Sequence, residues 1–190
     1  EDLLVKVEEN SNIVYNIVES MKENTVMSDK SQDYRIEKID FLSKLNKALD
    51  STKKTYSKNN VNIITEWNQL NNLFVYANES ALDDTFDQLF RTLVTNQDNV
   101  EINIQIEKNN FENVMELEIL CSNNIELSNI IEKFKTNRNN IFDIISSDDE
   151  DYIYNIALIE SDFKRMNGNT TIETLEKDET LLIITIPLNV

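Results

Sequence analysis

An α+β fold is predicted by this chain: a two-layer sandwich with helices on one face of a mixed, mostly antiparallel sheet, preceded by an amphipathic helix. Val100, Ile102, Ile104 and Ile106 alternate strictly with polar residues, and after the turn residues Lys108–Asn110 a second strand-like stretch, Val114–Cys121, follows, which together read as a half-buried hairpin. Tyr152, Ile156, Ile159, Phe163 and Met166 are spaced four, three, four and three apart, the ladder of a core-facing helix that stops at Asn167-Gly168, the only glycine in the chain. Thr170–Leu175 and Leu181–Pro187, separated by the turn-like Glu176–Glu179, then place a second hairpin after that helix.

In chain order, Glu1 to about Glu23 is amphipathic, with Leu3, Val7, Val14, Ile17 and Met21 on an alternating four-and-three ladder and Asn10 on the remaining rung. Such a seam predicts a helical hairpin or a dimer interface, where a polar Asn10 fixes register or rests on the wet edge. Asn24–Asp33 is polar and reads as a linker, so the domain division falls at residues 1–35 and 36–190. Ile36–Tyr56 is expected as a helix with Ile39, Leu42, Leu45 and Leu49 inward and the basic tail Lys53, Lys54 and Lys58 at its C-terminal end. Two short β-like runs, Val61–Thr65 and Leu73–Ala77, flank a connection that holds Trp67. Glu79–Val94 is the next helix, with Leu82, Phe86, Leu89, Phe90 and Leu93 apolar and Asn78 or Ser80 as its cap. Glu126–Phe134 reads as a short helix, Lys135–Asn140 as a polar loop and Ile141–Ile145 as a small apolar patch.

Composition excludes several functions. With 35 acidic and 18 basic residues the formal charge is −17, which repels phosphate backbones and anionic membranes and favours a basic protein patch as partner. No apolar run approaches the roughly 20 residues of a membrane span, and the start lacks the pattern of a signal peptide, so a soluble protein is expected. The lone Cys121 has no disulfide partner, and a reducing cytoplasm fits it. The absence of histidine removes the commonest general base and zinc ligand, as well as the phospho-accepting residue of histidine phosphorelays. One glycine is too few for a loop that cradles phosphate, so P-loop and dinucleotide-binding folds are excluded. The run Asp148–Asp151 lacks the glycine and ligand spacing of a calcium loop and reads as charge at a helix N-terminus; no metal is expected.

Certain residues, in this order, resemble the ATP-binding domain of sensor histidine kinases, the Bergerat-type fold. Val75–Leu82 is similar to the family's strand-to-helix entry, with Asn78 in place of an Asp and Leu82 kept. Ile153-Tyr154-Asn155-Ile156-Ala157-Leu158-Ile159 looks like the Gly-Leu-Gly-Leu-Ala-Ile-Val helix start, Met166-Asn167-Gly168 like the His/Met-Gly-Gly that ends it, and Ile183–Leu188 like the closing strand. The resemblance covers about Ile36–Val190, and the N-terminal ladder is similar to the second helix of the kinase dimerisation hairpin.

The departures are as informative. Register from Asn78 and Leu82 puts Gln88 and Thr92 where the family has its Mg²⁺-binding Asn pair, and a slipped register would recover only Asn96. The adenine-reading Asp falls near Leu120 or Cys121, and the glycines after it near Ser122 and Asn124. Ile153 and Asn155 replace the two lid glycines, leaving Gly168 as the remaining one. The resemblance therefore implies a degenerate domain that binds no ATP and needs no cofactor. It acts as a dimeric adaptor or regulator on a response-regulator receiver domain or a sensor subunit. The alternatives are a sensor-kinase fragment that binds ATP through a remodelled pocket, and a phosphotransfer protein whose histidine lies upstream.

Overall fold

The computed structural model describes residues 35–67, 73–95, 97–109, 111–136, 150–176 and 178–188, without the side chains of 133–136, 150, 151, 153, 154 and 176. The seam Leu3, Val7, Asn10, Val14, Ile17 and Met21, the patch Ile141–Ile145, and Asn96 lie outside the described residues.

Seven strands and four helices are described, in the order β1 (Glu37–Asp40), α1 (Phe41–Thr55), β2 (Asn62–Glu66), β3 (Phe74–Ala77), α2 (Glu79–Val94), β4 (Glu101–Asn109), β5 (Val114–Ser122), α3 (Ile125–Thr136), α4 (Glu150–Arg165), β6 (Asn169–Glu176) and β7 (Glu179–Pro187). Five strands form a sheet of order β2-β4-β5-β7-β6, in which only the β2–β4 pair is parallel. The mixed, mostly antiparallel sandwich expected from the periodicity is present.

One expectation needs correction. Ile36–Asp40 does not begin a helix; Glu37–Asp40 is a strand that pairs antiparallel with β3, from Glu37 opposite Ala77 to Asp40 opposite Phe74, in a separate two-stranded ribbon. The helix starts one residue later because Asp40 is its N-cap, accepting a hydrogen bond from the Ser43 N–H at 3.1 Å, while the Phe41 N–H is drawn to the Leu73 carbonyl at 2.9 Å. The apolar spacing at 39, 42, 45 and 49 thus spans two elements: Ile39 is buried from the strand, and Phe41, Leu45, Ala48 and Leu49 form the helix stripe, with Leu42 only half-buried.

The core lies between the sheet and the helices. Ile102, Ile104 and Ile106 of β4, Met115, Leu117 and Ile119 of β5, and Leu182, Ile184 and Ile186 of β7 face it. From the helical layer come Leu82, Phe86, Leu89, Phe90 and Leu93 of α2 and the whole ladder Tyr152, Ile156, Ile159, Phe163 and Met166 of α4. Phe86 holds the layer together, meeting Phe41 edge-on at 5.3 Å between ring centres and Phe90 at 6.4 Å. Lys44 of α1 pairs with Glu79 and Asp83 of α2, stitching the two helices at their rim.

The scarcity of glycine shows at five corners among the described residues. Among the described residues five non-glycine residues have positive φ, Asn60, Asn99, Asn113, Asn123 and Asn167, and all are asparagine, the residue other than glycine that best tolerates the left-handed region. The end of α4 shows the consequence. The Gly168 N–H reaches the Phe163 carbonyl at 2.8 Å and the Asn167 N–H the Lys164 carbonyl at 3.0 Å, the paired bonds of a Schellman motif. Its left-handed position is taken by Asn167, φ 57°, and not by Gly168. Gly168 is needed for space: a Cβ there would sit 2.7 Å from the Thr185 carbonyl oxygen and 2.9 Å from that of Phe163, both backbone atoms.

Gly168→Ala is therefore expected to cost about 1–3 kcal/mol of unfolding free energy, whereas Asn167→Gly leaves stability within about 1 kcal/mol. Denaturant titration of both variants checks this, and equal midpoints would contradict it.

Candidate functional site

The positions singled out from the sequence gather at the C-terminal half of α2, where α4, the β5–α3 junction and β7 converge. Two of them meet directly: Gln88 Nε2 donates to Asn155 Oδ1 at 2.7 Å across the α2–α4 contact. Thr92, buried one turn on, turns its hydroxyl back onto the Gln88 carbonyl at 2.8 Å.

Asn124 and Cys121 converge on another atom. The last carbonyls of an α-helix have no partner within it, and the Leu93 carbonyl of α2 accepts both Asn124 Nδ2 at 2.8 Å and the Cys121 thiol at 3.7 Å. Asn124 is fully buried and fully used: its Oδ1 accepts the Leu127 N–H at 3.0 Å, its carbonyl accepts the Ser128 N–H, and its own N–H reaches the Asp178 carbonyl. It is the N-cap of α3 as well as a clamp on α2. The left-handed Asn123 turns the chain so that Asn124 points inward. Tyr152 adds a third donor, its hydroxyl reaching the Thr95 carbonyl at 2.8 Å. Ser122 lies at the rim, bonded to Glu179 Oε1 at 3.3 Å.

Burial pushes the Cys121 thiol up to about 12, so it is a neutral packing group and not a nucleophile. Asp162 on α4 is also raised by burial, against the opposing pull of the Thr85 hydroxyl at 3.2 Å and Arg165 at 3.6 Å. Among the described residues no group of three or more His, Cys, Asp or Glu side chains converges to hold a metal.

Between α2, α3, α4 and β7 the interior leaves a void of only about 20 Å³, walled by side chains such as Leu89, Thr92, Leu127, Ile156 and Leu182. That is room on the scale of a single water, in apolar surroundings. The larger hollow, about 410 Å³, lies instead between α1 and α2, where Tyr56, Asp84, Asp87, Gln88 and Arg91 border it. Ile153 falls in the first turn of α4, with its side chain outside the described residues, and Gly168 sits at the far end of the same helix. These positions thus divide: Gln88 with Asn155, and Cys121 with Asn124, are brought together, while Gly168 and Ser122 stand apart. Sequence reading missed the Tyr152 hydroxyl and the buried Ser128–Thr180 hydroxyl pair at 3.0 Å. The Asn124 cap was signalled by an Asn ahead of an amphipathic stretch with Glu126 in its first turn.

No family model matches the chain, and no curated protein matches it. Solved structures do. The catalytic domain of histidine kinase ThkA aligns over 80% of this chain and 95% of its own, with a TM-score of 0.61 at 13% identity. The Acinetobacter baumannii histidine kinase AdeS aligns over the whole of this chain and 86% of its own, with a TM-score of 0.61 at 12% identity. ThkA in complex with the response regulator TrrA aligns over 94% of this chain and half of that kinase, with a TM-score of 0.58 at 14% identity. The fold is that of histidine-kinase catalytic domains.

Two outcomes follow from the buried groups. Cys121 is expected to resist a thiol reagent at pH 8 in the folded protein and to react at once in denaturant; rapid labelling of the native chain would contradict its placement. For Asp162, a folded-state pKa above the unfolded one means that a penalty appears as pH rises through the interval between the two. Asp162→Asn, which keeps an acceptor for Thr85, is expected to melt at or above the parent temperature at pH 7, the gap closing as pH falls toward the unfolded carboxyl's pKa near 4. A lower melting temperature at pH 7 would show that the Arg165 pairing outweighs burial.

Proposed function

We propose that this chain is a histidine-kinase-like signalling domain that has given up nucleotide and works through protein contacts, as a dimeric adaptor or regulator in the cytoplasm. The observation that carries the reading is the use made of Gln88, Thr92, Cys121, Asn124 and Asn155. Each stands where the resembling family places a nucleotide contact, and each makes a hydrogen bond within the protein. An apolar void of about 20 Å³ does not admit an adenine ring. The open hollow beside Gln88 has Asp84 and Asp87 against the single cation Arg91 on its wall, a net negative lining that disfavours a triphosphate.

Partner and assembly follow from the same reading. A response-regulator receiver domain or a sensor subunit is the partner kind favoured, since ThkA, which shares the fold, is seen with a response regulator. The ladder Leu3, Val7, Asn10, Val14, Ile17 and Met21 supplies the dimer seam.

Titration with a fluorescent ATP analogue and Mg²⁺ tests the central claim. No saturation through the micromolar range is expected, and saturable micromolar binding would overturn it in favour of a remodelled nucleotide site. Light scattering of the chain tests the seam, with a dimer expected and a strict monomer at micromolar concentration counting against it.

A further inference from the structure

The five-stranded sheet has a second face, turned away from the helices, and its register lays out an unusual surface. One cross-strand line runs Ile64, Asn103, Leu120, Leu181 and ends at Glu173; the next runs Glu66, Gln105, Glu118, Ile183. A third brings Glu107 directly opposite Glu116. The centre is therefore apolar, through Leu120, Leu181 and Ile183, with Ile64 40% exposed at the edge strand. Around it stand the carboxylates of Glu66, Glu101, Glu107, Glu116, Glu118 and Glu173, and among the described residues no Lys or Arg occupies a position on this face.

Among the described residues the hydrogen-bond donors to these carboxylates are neutral: Gln105 on Glu66 at 3.2 Å, and Asn62 and Asn103 on Glu101. Like charges directly opposed across a strand pair destabilise a sheet, so the Glu107–Glu116 pair costs stability that an outside cation would return. Nor is the rest of the chain suited to supply one. Residues 1–34 carry eight acidic and three basic residues, residues 137–149 three acidic and one basic, and a second copy would bring another formal charge of −17. Nucleic acid and anionic lipid are repelled for the same reason.

We propose that this outer sheet face docks a cationic amphipathic segment of a partner protein, its apolar side chains on Leu120, Leu181 and Ile183 and its Lys or Arg side chains on Glu107, Glu116 and Glu118. Alternating side chains of an extended segment match a surface of this kind, in which apolar and acidic positions lie one strand spacing apart. The inference rests on the reading of the chain as a protein-contact module and names the surface that module would use.

The test uses the full chain and a fluorescent peptide of alternating Lys and Leu, with a Lys/Ser peptide of equal charge as competitor. Saturable binding of the Lys/Leu peptide is expected, about tenfold tighter than Lys/Ser. Glu116→Gln/Glu118→Gln and Leu120→Thr/Ile183→Thr should each weaken it by about tenfold, while Asp50→Asn/Asp87→Asn, which removes the same charge from exposed sites on the helical layer, changes it by less than about twofold. Equal weakening by the helical-layer control, equal affinity for the two peptides, or no saturation would each overturn the proposal. The Glu→Gln pair relieves like-charge repulsion and keeps the fold, so it decides the matter if the Thr pair does not fold. Saturable Mg-ATP binding would overturn the nucleotide-free reading alone, and a face that ignores the peptide in a chain that also ignores ATP would overturn this inference alone.

Discussion

The C-terminal end of α2 is buried, and a buried helix end must find donors for its carbonyls. The Leu93 and Thr95 carbonyls obtain them from Asn124, Cys121 and Tyr152, which come from three elements distant in sequence. Leaving such an acceptor unpaired costs about 1–3 kcal/mol, so the β5–α3 junction and the start of α4 are held where they are by α2. Asn124 tightens the arrangement because the same side chain opens α3. The site positions and the packing of the domain are in this sense one system: the side chains that could have met a ligand are those that seal the helix.

Histidine-kinase catalytic domains share this architecture, and its interior in this chain is closed by contacts within the protein. Gln88 bonds Asn155, Thr92 bonds its own helix, and Leu, Ile and Thr side chains line the small void between the layers. A fold is maintained by its apolar faces, which need only hydrophobic side chains of suitable size. Chemistry at a site needs particular groups left unpaired and accessible. The first requirement is met throughout the described residues.

Much of this was legible in the sequence because periodicity is a local signal. The strands around Ile102–Ile106 and Val114–Cys121, the helix Glu79–Val94 and the ladder from Tyr152 to Met166 repeat their apolar residues within a few positions, and all appear as expected. The strand Glu37–Asp40 was hidden because four residues are too few to establish alternation, and because Ile39 happens to extend the spacing of the helix that follows. Its partner, Phe74–Ala77, lies more than thirty residues away, a pairing no local pattern announces. The site was legible as a set of substitutions but not as a network. That Gln88 bonds Asn155, 67 positions on, or that one carbonyl gathers Asn124 and Cys121, depends on tertiary geometry. The pair Asn167-Gly168 marked the end of the helix in the sequence, but only the structure shows that Asn167 takes the left-handed position and Gly168 answers to crowding.

Reliance on asparagine at left-handed corners bears on chemical ageing. An Asn side chain deamidates when the backbone nitrogen of the next residue attacks its amide carbon, and a bulky following residue slows the attack. Asn60, Asn99 and Asn113 are each followed by valine, which shields them. Asn167 is followed by Gly168, the most permissive neighbour, but in the folded chain the Gly168 nitrogen is held at 2.8 Å by the Phe163 carbonyl and is not free to attack. The close packing that forbids a side chain at Gly168 therefore also keeps a chemical clock stopped, and unfolding the end of α4 would start it.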